Sequence, residues 1–134
     1  TDSTKAIATS QVALPKSVFW CEYAPFSQLF PRATAVVHAG GIGTTGLAMR
    51  AGRPMLVVPF AFDQPDNAER LRRLGVARTI PGLRYSAARA TKELRYLLDD
   101  PSYTQRAWDV RDRMADEDGV KVACDALEAS LSPQ

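Results

Sequence analysis

The segment Val37-His38-Ala39-Gly40-Gly41-Ile42-Gly43-Thr44-Thr45-Gly46 decides the fold, because it leaves an apolar run, turns through glycines and enters a helical pattern. Residues 33–37 before it are nearly all apolar, as a strand covered on both faces of a parallel sheet is. Residues 44–51 leave room for one crossover helix, and Pro-Met-Leu-Val-Val-Pro-Phe at 54–60 repeats the buried-strand pattern. Strand, crossover helix and strand in succession predict an α/β class with a parallel sheet and right-handed crossovers.

Outward from this centre the pattern continues in both directions. After Asp63, the residues Ala68, Leu71 and Leu74 recur at helical spacing, Gly75 stops the helix, and 76–80 reads as a last short strand. Pro81-Gly82 then separates an α/β part, 1–82, from a helical tail, 83–134. The tail carries three amphipathic sets, Ala87/Ala90/Leu94/Leu97, Tyr103/Ala107/Val110/Met114 and Val120/Ala123/Leu127/Leu131. Ser86, Asp100 or Ser102, and Asp118 are the expected caps. Upstream, Ser-Val-Phe-Trp-Cys at 17–21 reads as a strand, 6–8 as a possible shorter one, and Pro25 opens a short helix over 26–30 that Pro31 ends. The expectation is a single Rossmann-like domain over 1–134, a parallel sheet with flanking helices and a helical C-terminal tail. Four strands are few for such a sheet, and the chain starts on Thr1. An opening βα unit is therefore expected upstream, and its absence would leave a sheet edge open to self-association.

Composition narrows the classes. The 134 residues are 46% hydrophobic, enough for a real core, and the 17 basic and 15 acidic side chains form no long run of one sign. That leaves no electrostatic footprint for nucleic acid or for an anionic membrane. No stretch approaches a membrane span, and the amino-terminal residues lack a signal layout. One His and two widely spaced Cys cannot assemble a Cys/His metal site, so no metal is expected. Cys21 and Cys124 read as buried or half-buried thiols, and a reducing cytoplasm fits them.

The chemistry concentrates at the carboxyl ends of the predicted strands, where open α/β sheets bind ligands. Glycines at 40, 41 and 43 let backbone approach a ligand, and the N–H groups of Gly43, Thr44 and Thr45 at a helix start form an anion site. A tight turn needing glycine only for positive φ explains the same residues. His38 sits at the strand end, as a ligand donor or as a packed histidine bonded to backbone. Asp63-Gln64 follows the next strand, and a carboxylate beside an amide suits sugar hydroxyls. An ordinary helix cap explains Asp63 equally well, and Asp66 and Asn67 read as structural first-turn residues. Gly41-Ile42-Gly43-Thr44-Thr45-Gly46 also matches G-x-G-x-x-G, which keeps open an NAD(P)-dependent oxidoreductase, as well as a non-catalytic nucleotide-binding module. Against the oxidoreductase, that fingerprint normally follows the first strand of its domain, and it gives His38 and Gln64 no role.

Four linked motifs carry a resemblance to a known family: Tyr23-Ala24-Pro25-Phe26-Ser27-Gln28-Leu29-Phe30-Pro31, His38-Ala39-Gly40-Gly41-Ile42-Gly43-Thr44-Thr45, Arg50-Ala51-Gly52-Arg53-Pro54 and Asp63-Gln64-Pro65-Asp66-Asn67-Ala68. In order and spacing they resemble the donor-binding signature of family 1 glycosyltransferases, in the bacterial and sterol-glucosyltransferase-like branch. The resemblance implies part of the C-terminal domain of a GT-B fold and an inverting transfer of a hexose from a UDP- or dTDP-sugar to a small-molecule or lipid acceptor. It implies that His38, Gly40, Gly41, Gly43, Thr44 and Thr45 hold the donor diphosphate and that Asp63 and Gln64 hold the sugar. Tyr23, Ala24 and Phe26 would then line the base and ribose pocket. The family's catalytic base lies in an amino-terminal domain outside this chain, so no catalytic residue is expected here, and no metal or other cofactor. Plant members carry a ribose-binding Glu where Gly46 stands, and close bacterial relatives often carry a second His where Ala39 stands. His38 is then the sole side-chain donor at the diphosphate.

Overall fold

A computed structural model describes residues 14–131 of the chain. Three parallel strands, β1 (Val36–His38), β2 (Met55–Val57) and β3 (Ala77–Thr79), lie in the order β1-β2-β3. Val36 pairs with Met55, which pairs with Ala77. A short helix α1 (Phe26–Leu29) runs into a 3-10 turn (Phe30–Arg32) ahead of β1. Helix α2 (Ile42–Arg50) crosses from β1 to β2, and α3 (Gln64–Arg73) crosses from β2 to β3. A second 3-10 turn (Gly82–Arg84) leads to α4 (Ala87–Asp99), α5 (Pro101–Met114) and α6 (Gly119–Leu131).

The apolar runs become the sheet because their side chains are covered from both sides. Met55, Leu56 and Val57 of the central strand are all fully buried. On one face Val36, Met55, Val57 and Ala77 pack with Ala48 of α2, Ala68 and Leu71 of α3 and Ala107 of α5. On the other, Leu56 and Ile80 meet Ala90 and Leu97 of α4. Each fully buried Leu or Met side chain contributes about 1.5–3 kcal/mol relative to exposure, so the residues that hold the strands are those read as buried runs. Arg78 fastens the edge strand to the tail. Its Nε pairs with the Glu93 carboxylate, its Nη1 donates to Tyr103 Oη at 3.1 Å, and its guanidinium lies 4.8 Å from the Tyr96 ring centre.

The expected caps are present. Ser86 Oγ accepts from Arg89 N–H, Asp118 Oδ1 accepts from Lys121 N–H, and Asp100, rather than Ser102, caps α5 by accepting from Ser102 N–H.

Several expectations are corrected. Residues 17–21 form no strand. Val18, Phe19 and Trp20 are exposed, since among the described residues no strand lies beside them to complete a ladder. The described residues therefore hold three strands rather than four, and the suggested strand at 6–8 lies outside them. Helix α2 starts two residues earlier than the pattern suggested, because Gly41 in extended geometry already serves as its cap position. Cys21 and Cys124 are both exposed free thiols, not buried ones. The third amphipathic set of the tail is also uncovered, with Val120, Leu127 and Leu131 each more than half exposed. No helix among the described residues is long and apolar enough to cross a membrane.

Candidate functional site

The sheet ends on two loops that lie side by side. The first joins β1 to α2 through Ala39, Gly40 and Gly41. Gly40 has φ 93°, a conformation closed to L side chains, and a Cβ there would stand 2.9 Å from Val57 Cγ1 and 3.3 Å from the carbonyl oxygen of Gln64. This glycine is required twice over, by its dihedral and by the close approach of the second loop. Cβ atoms at Gly41, Gly43 and Gly46 would meet nothing within 4 Å. The G-x-G-x-x-G match therefore lacks the close helix–strand packing that the third glycine of a dinucleotide fingerprint serves.

His38 is fixed by the same turn. Gly40 N–H donates to His38 Nδ1 at 3.0 Å, which makes Nδ1 the acceptor and leaves the proton of the neutral ring on Nε2. Burial holds the imidazole below its ordinary pKa, so the ring is neutral at pH 7. Nε2 is screened from solvent and has no hydrogen-bond partner. An unmade bond at such a donor costs about 1–3 kcal/mol. A ligand oxygen would remove that cost.

The amides of the first turn of α2 divide unexpectedly. Thr45 N–H donates to Gly41 O at 3.0 Å, and its side chain is buried with an unpartnered hydroxyl. Thr45 thus spends its amide within the helix, while its buried hydroxyl, like His38 Nε2, is left without a partner. The N–H groups that precede the first intrahelical bond are those of Ile42, Gly43 and Thr44, and the helix dipole adds positive potential there. Ile42 was absent from the sequence reading because the helix was expected to start later.

The second loop joins β2 to α3 and carries Asp63 and Gln64. Asp63 occupies the residue before α3 but makes no side-chain cap bond. Its Oδ2 instead accepts from Asn67 Nδ2 at 2.8 Å. Gln64 Oε1 accepts from the N–H groups of Phe60 at 2.9 Å and Ala61 at 3.2 Å, folding the loop over itself. Asp63 Oδ1 and Gln64 Nε2 have no hydrogen-bond partner among the described residues, one an acceptor and the other a donor. Asn67 joins the two loops, since its Nδ2 also donates to Gly40 O at 2.9 Å. This is the structural first-turn role that the sequence pattern gave Asn67, and its place four residues after Asp63 on one helix face accounts for the bond between them.

Within the second loop, Phe62 has φ 58° and is the single non-glycine residue with positive φ among those described. A bulky residue held there costs on the order of 1–3 kcal/mol.

The remaining candidates line a separate hollow. Tyr23, Ala24 and Phe26 border a cavity of about 610 Å³ that reaches Leu47 of α2. Phe26 is held by stacking on Phe30, with ring centres 4.7 Å apart. The helix that begins at the glycine loop therefore has the Tyr23 hollow against its flank. The structure brings His38, Gly40, Asp63 and Gln64 to the carboxyl ends of neighbouring strands and sets the Tyr23 group beside the neighbouring helix.

Comparison with known proteins identifies the family of the fold. Residues 4–128 match the family described as erythromycin biosynthesis protein CIII-like, C-terminal domain. The O-mycaminosyltylonolide 6-deoxyallosyltransferase of Streptomyces fradiae is 41% identical over 117 residues, covering 87% of this chain and 28% of that protein. A sterol 3-beta-glucosyltransferase of Arabidopsis thaliana is 34% identical over 122 residues, covering 90% of this chain and 20% of the relative. The crystal structure of the glycosyltransferase VinC in complex with dTDP superposes with a TM-score of 0.76 at 29% identity, over 85% of this chain and 28% of that one. The chain thus spans less than a third of each of these glycosyltransferases. It belongs to the erythromycin biosynthesis protein CIII-like C-terminal domain family, with the fold of GT-B glycosyltransferase C-terminal domains.

Proposed function

We propose that the chain is the nucleotide-sugar donor-binding portion of an inverting glycosyltransferase, which moves a hexose from a UDP- or dTDP-sugar to a hydroxyl of a small-molecule or lipid acceptor. The observation that carries this reading is the β1–α2 turn. It presents a neutral imidazole with an orphan Nε2–H beside the unpaired amides of Ile42, Gly43 and Thr44. As the glycosidic bond to the donor breaks, negative charge gathers on the departing diphosphate. Preorganised N–H donors at a helix start stabilise that charge where it develops. Asp63 and Gln64 supply an acceptor and a donor for sugar hydroxyls, and the hollow at Tyr23, Ala24 and Phe26 takes the base and ribose.

The donors act without a metal in this scheme, and the base that deprotonates the acceptor comes from outside the chain. The dTDP bound to VinC supports a thymidine or uridine diphosphate as the common part of the donor. The comparisons give no support to the oxidoreductase alternative. Among the described residues the outer edges of β1 and β3 have no neighbouring strand, and self-association through them is expected in sedimentation at high concentration.

Calorimetric titration with UDP, dTDP, UDP-glucose, dTDP-rhamnose and NAD tests the reading. Binding of a nucleoside diphosphate that weakens in His38→Ala supports it. Binding of NAD alone, or diphosphate binding indifferent to His38, refutes it. In the full-length enzyme His38→Ala should lower turnover more than donor affinity, because the charge it meets arises only in the transition state.

A further inference from the structure

Phe62 combines a costly backbone with a side chain that the chain does not use. Its φ of 58° lies in the left-handed region, and its ring is 96% exposed. No ring contact to it occurs among the described residues. The loop itself does not require a phenylalanine. It is closed by Gln64 Oε1 on the N–H groups of Phe60 and Ala61, bonds that a glycine at 62 would allow equally. Phe60, the other aromatic of the loop, differs, since its ring packs so closely on Gly82 that a Cβ there would stand 2.5 Å away. A strained, exposed aromatic that returns nothing to the fold points to a contact outside it.

Its position narrows what that contact is. Phe62 directly precedes Asp63 and Gln64, and Asn67 ties this loop to Gly40. Phe62 therefore belongs to the loop that meets Gly40, immediately before the two side chains with valences free for hydroxyls. We propose that Phe62 is a specificity-determining residue whose ring forms an apolar platform for the C–H face of the donor's hexose, while Asp63 and Gln64 hold its hydroxyls. A pyranose has one face made of C–H groups, and an aromatic ring beside it buries apolar area without stripping a hydroxyl of water. This rests on the donor-site reading above.

The test measures the sugar's share of affinity. The full chain is titrated with the nucleoside diphosphate it binds, UDP or dTDP, and with the glucose conjugate of the same nucleotide. The ratio of the two dissociation constants is compared between the native protein and Phe62→Gly. The platform requires that the bare diphosphate bind both proteins equally and that the ratio fall about three- to tenfold in the variant. Relief of strain should also raise Tm by about 5 °C. Phe62→Asn, which tolerates the same φ, gives a second reading should the glycine variant fold poorly. An unchanged ratio, or an acceptor KM that rises in the full-length enzyme while the ratio holds, overturns the platform. A lower Tm in both variants overturns the strain on which it is built. Failure of either bare diphosphate to bind the native chain removes the donor site itself, and with it this proposal.

Discussion

The two strand-to-helix connections, β1 to α2 and β2 to α3, leave neighbouring strands at the same edge yet solve the turn in opposite ways. The first places glycine at its left-handed residue, Gly40, and sets a histidine nitrogen to receive that residue's N–H. The second places phenylalanine at its left-handed residue and closes with a glutamine side chain. One loop is relaxed and interlocked with the core through Val57, while the other holds strain in an exposed position. A turn that only reverses the chain would choose glycine twice. The departure from that choice marks where the molecule gives up stability for contact with something else.

The largest expected effect is on the relaxed loop. Gly40→Ala should cost about 2–4 kcal/mol, from the left-handed penalty for a Cβ and from overlap with Val57 and the Gln64 carbonyl. Urea unfolding measures it, and a loss below about 1 kcal/mol would show that the turn can adopt another path. Next comes the bridge between the loops. Asn67→Ala should cost about 1–2 kcal/mol by leaving the part-buried Gly40 carbonyl without its donor. Asn67→Asp should cost more at pH 7, since a second carboxylate would face Asp63 and the Gly40 carbonyl, and the excess should vanish once the pair is protonated. If Asn67→Ala costs less than about 0.5 kcal/mol, the two loops are not coupled through this side chain.

How much of this was readable in advance follows from which forces act locally. Strands β1, β2 and β3, both crossover helices and the three tail helices were legible, because burial on two faces writes continuous apolar runs and helices write periodic ones. His38, Gly40, Asp63 and Gln64 were legible because their types are unusual at a strand's carboxyl end. Residues 17–21 misled, since a β-rich run predicts a strand only where a neighbour exists to pair with it, and pairing is a tertiary property. Thr45 misled because a two-residue shift in the helix start moves its amide from open to bonded. Phe62 was invisible. Nothing in Phe-Ala-Phe-Asp marks a positive φ, and the residue types that announce one, glycine and asparagine, are absent there.

The smallest effect concerns the proton on His38, and its sign is fixed by the relaxed loop. In the folded chain Nδ1 accepts from Gly40 N–H, and burial lowers the imidazole's pKa, so the folded state holds the ring neutral more firmly than the unfolded state does. Below the unfolded value near 6.5, the unfolded chain takes up a proton that the native turn resists. Stability should therefore be level above about pH 7 and fall as pH drops from about 6.5 towards the lowered folded value. The ring is only partly enclosed, so this is the smallest of the expected effects. His38 is the one histidine in the sequence, so no other imidazole titrates in this window. Unfolding measured at pH 7.5 and pH 5.5 should show a decline that His38→Ala lacks. A decline of equal size in the variant would mean that the imidazole is free to take its proton in the folded state. The Gly40 turn would then not hold it in the neutral, Nε2-protonated form.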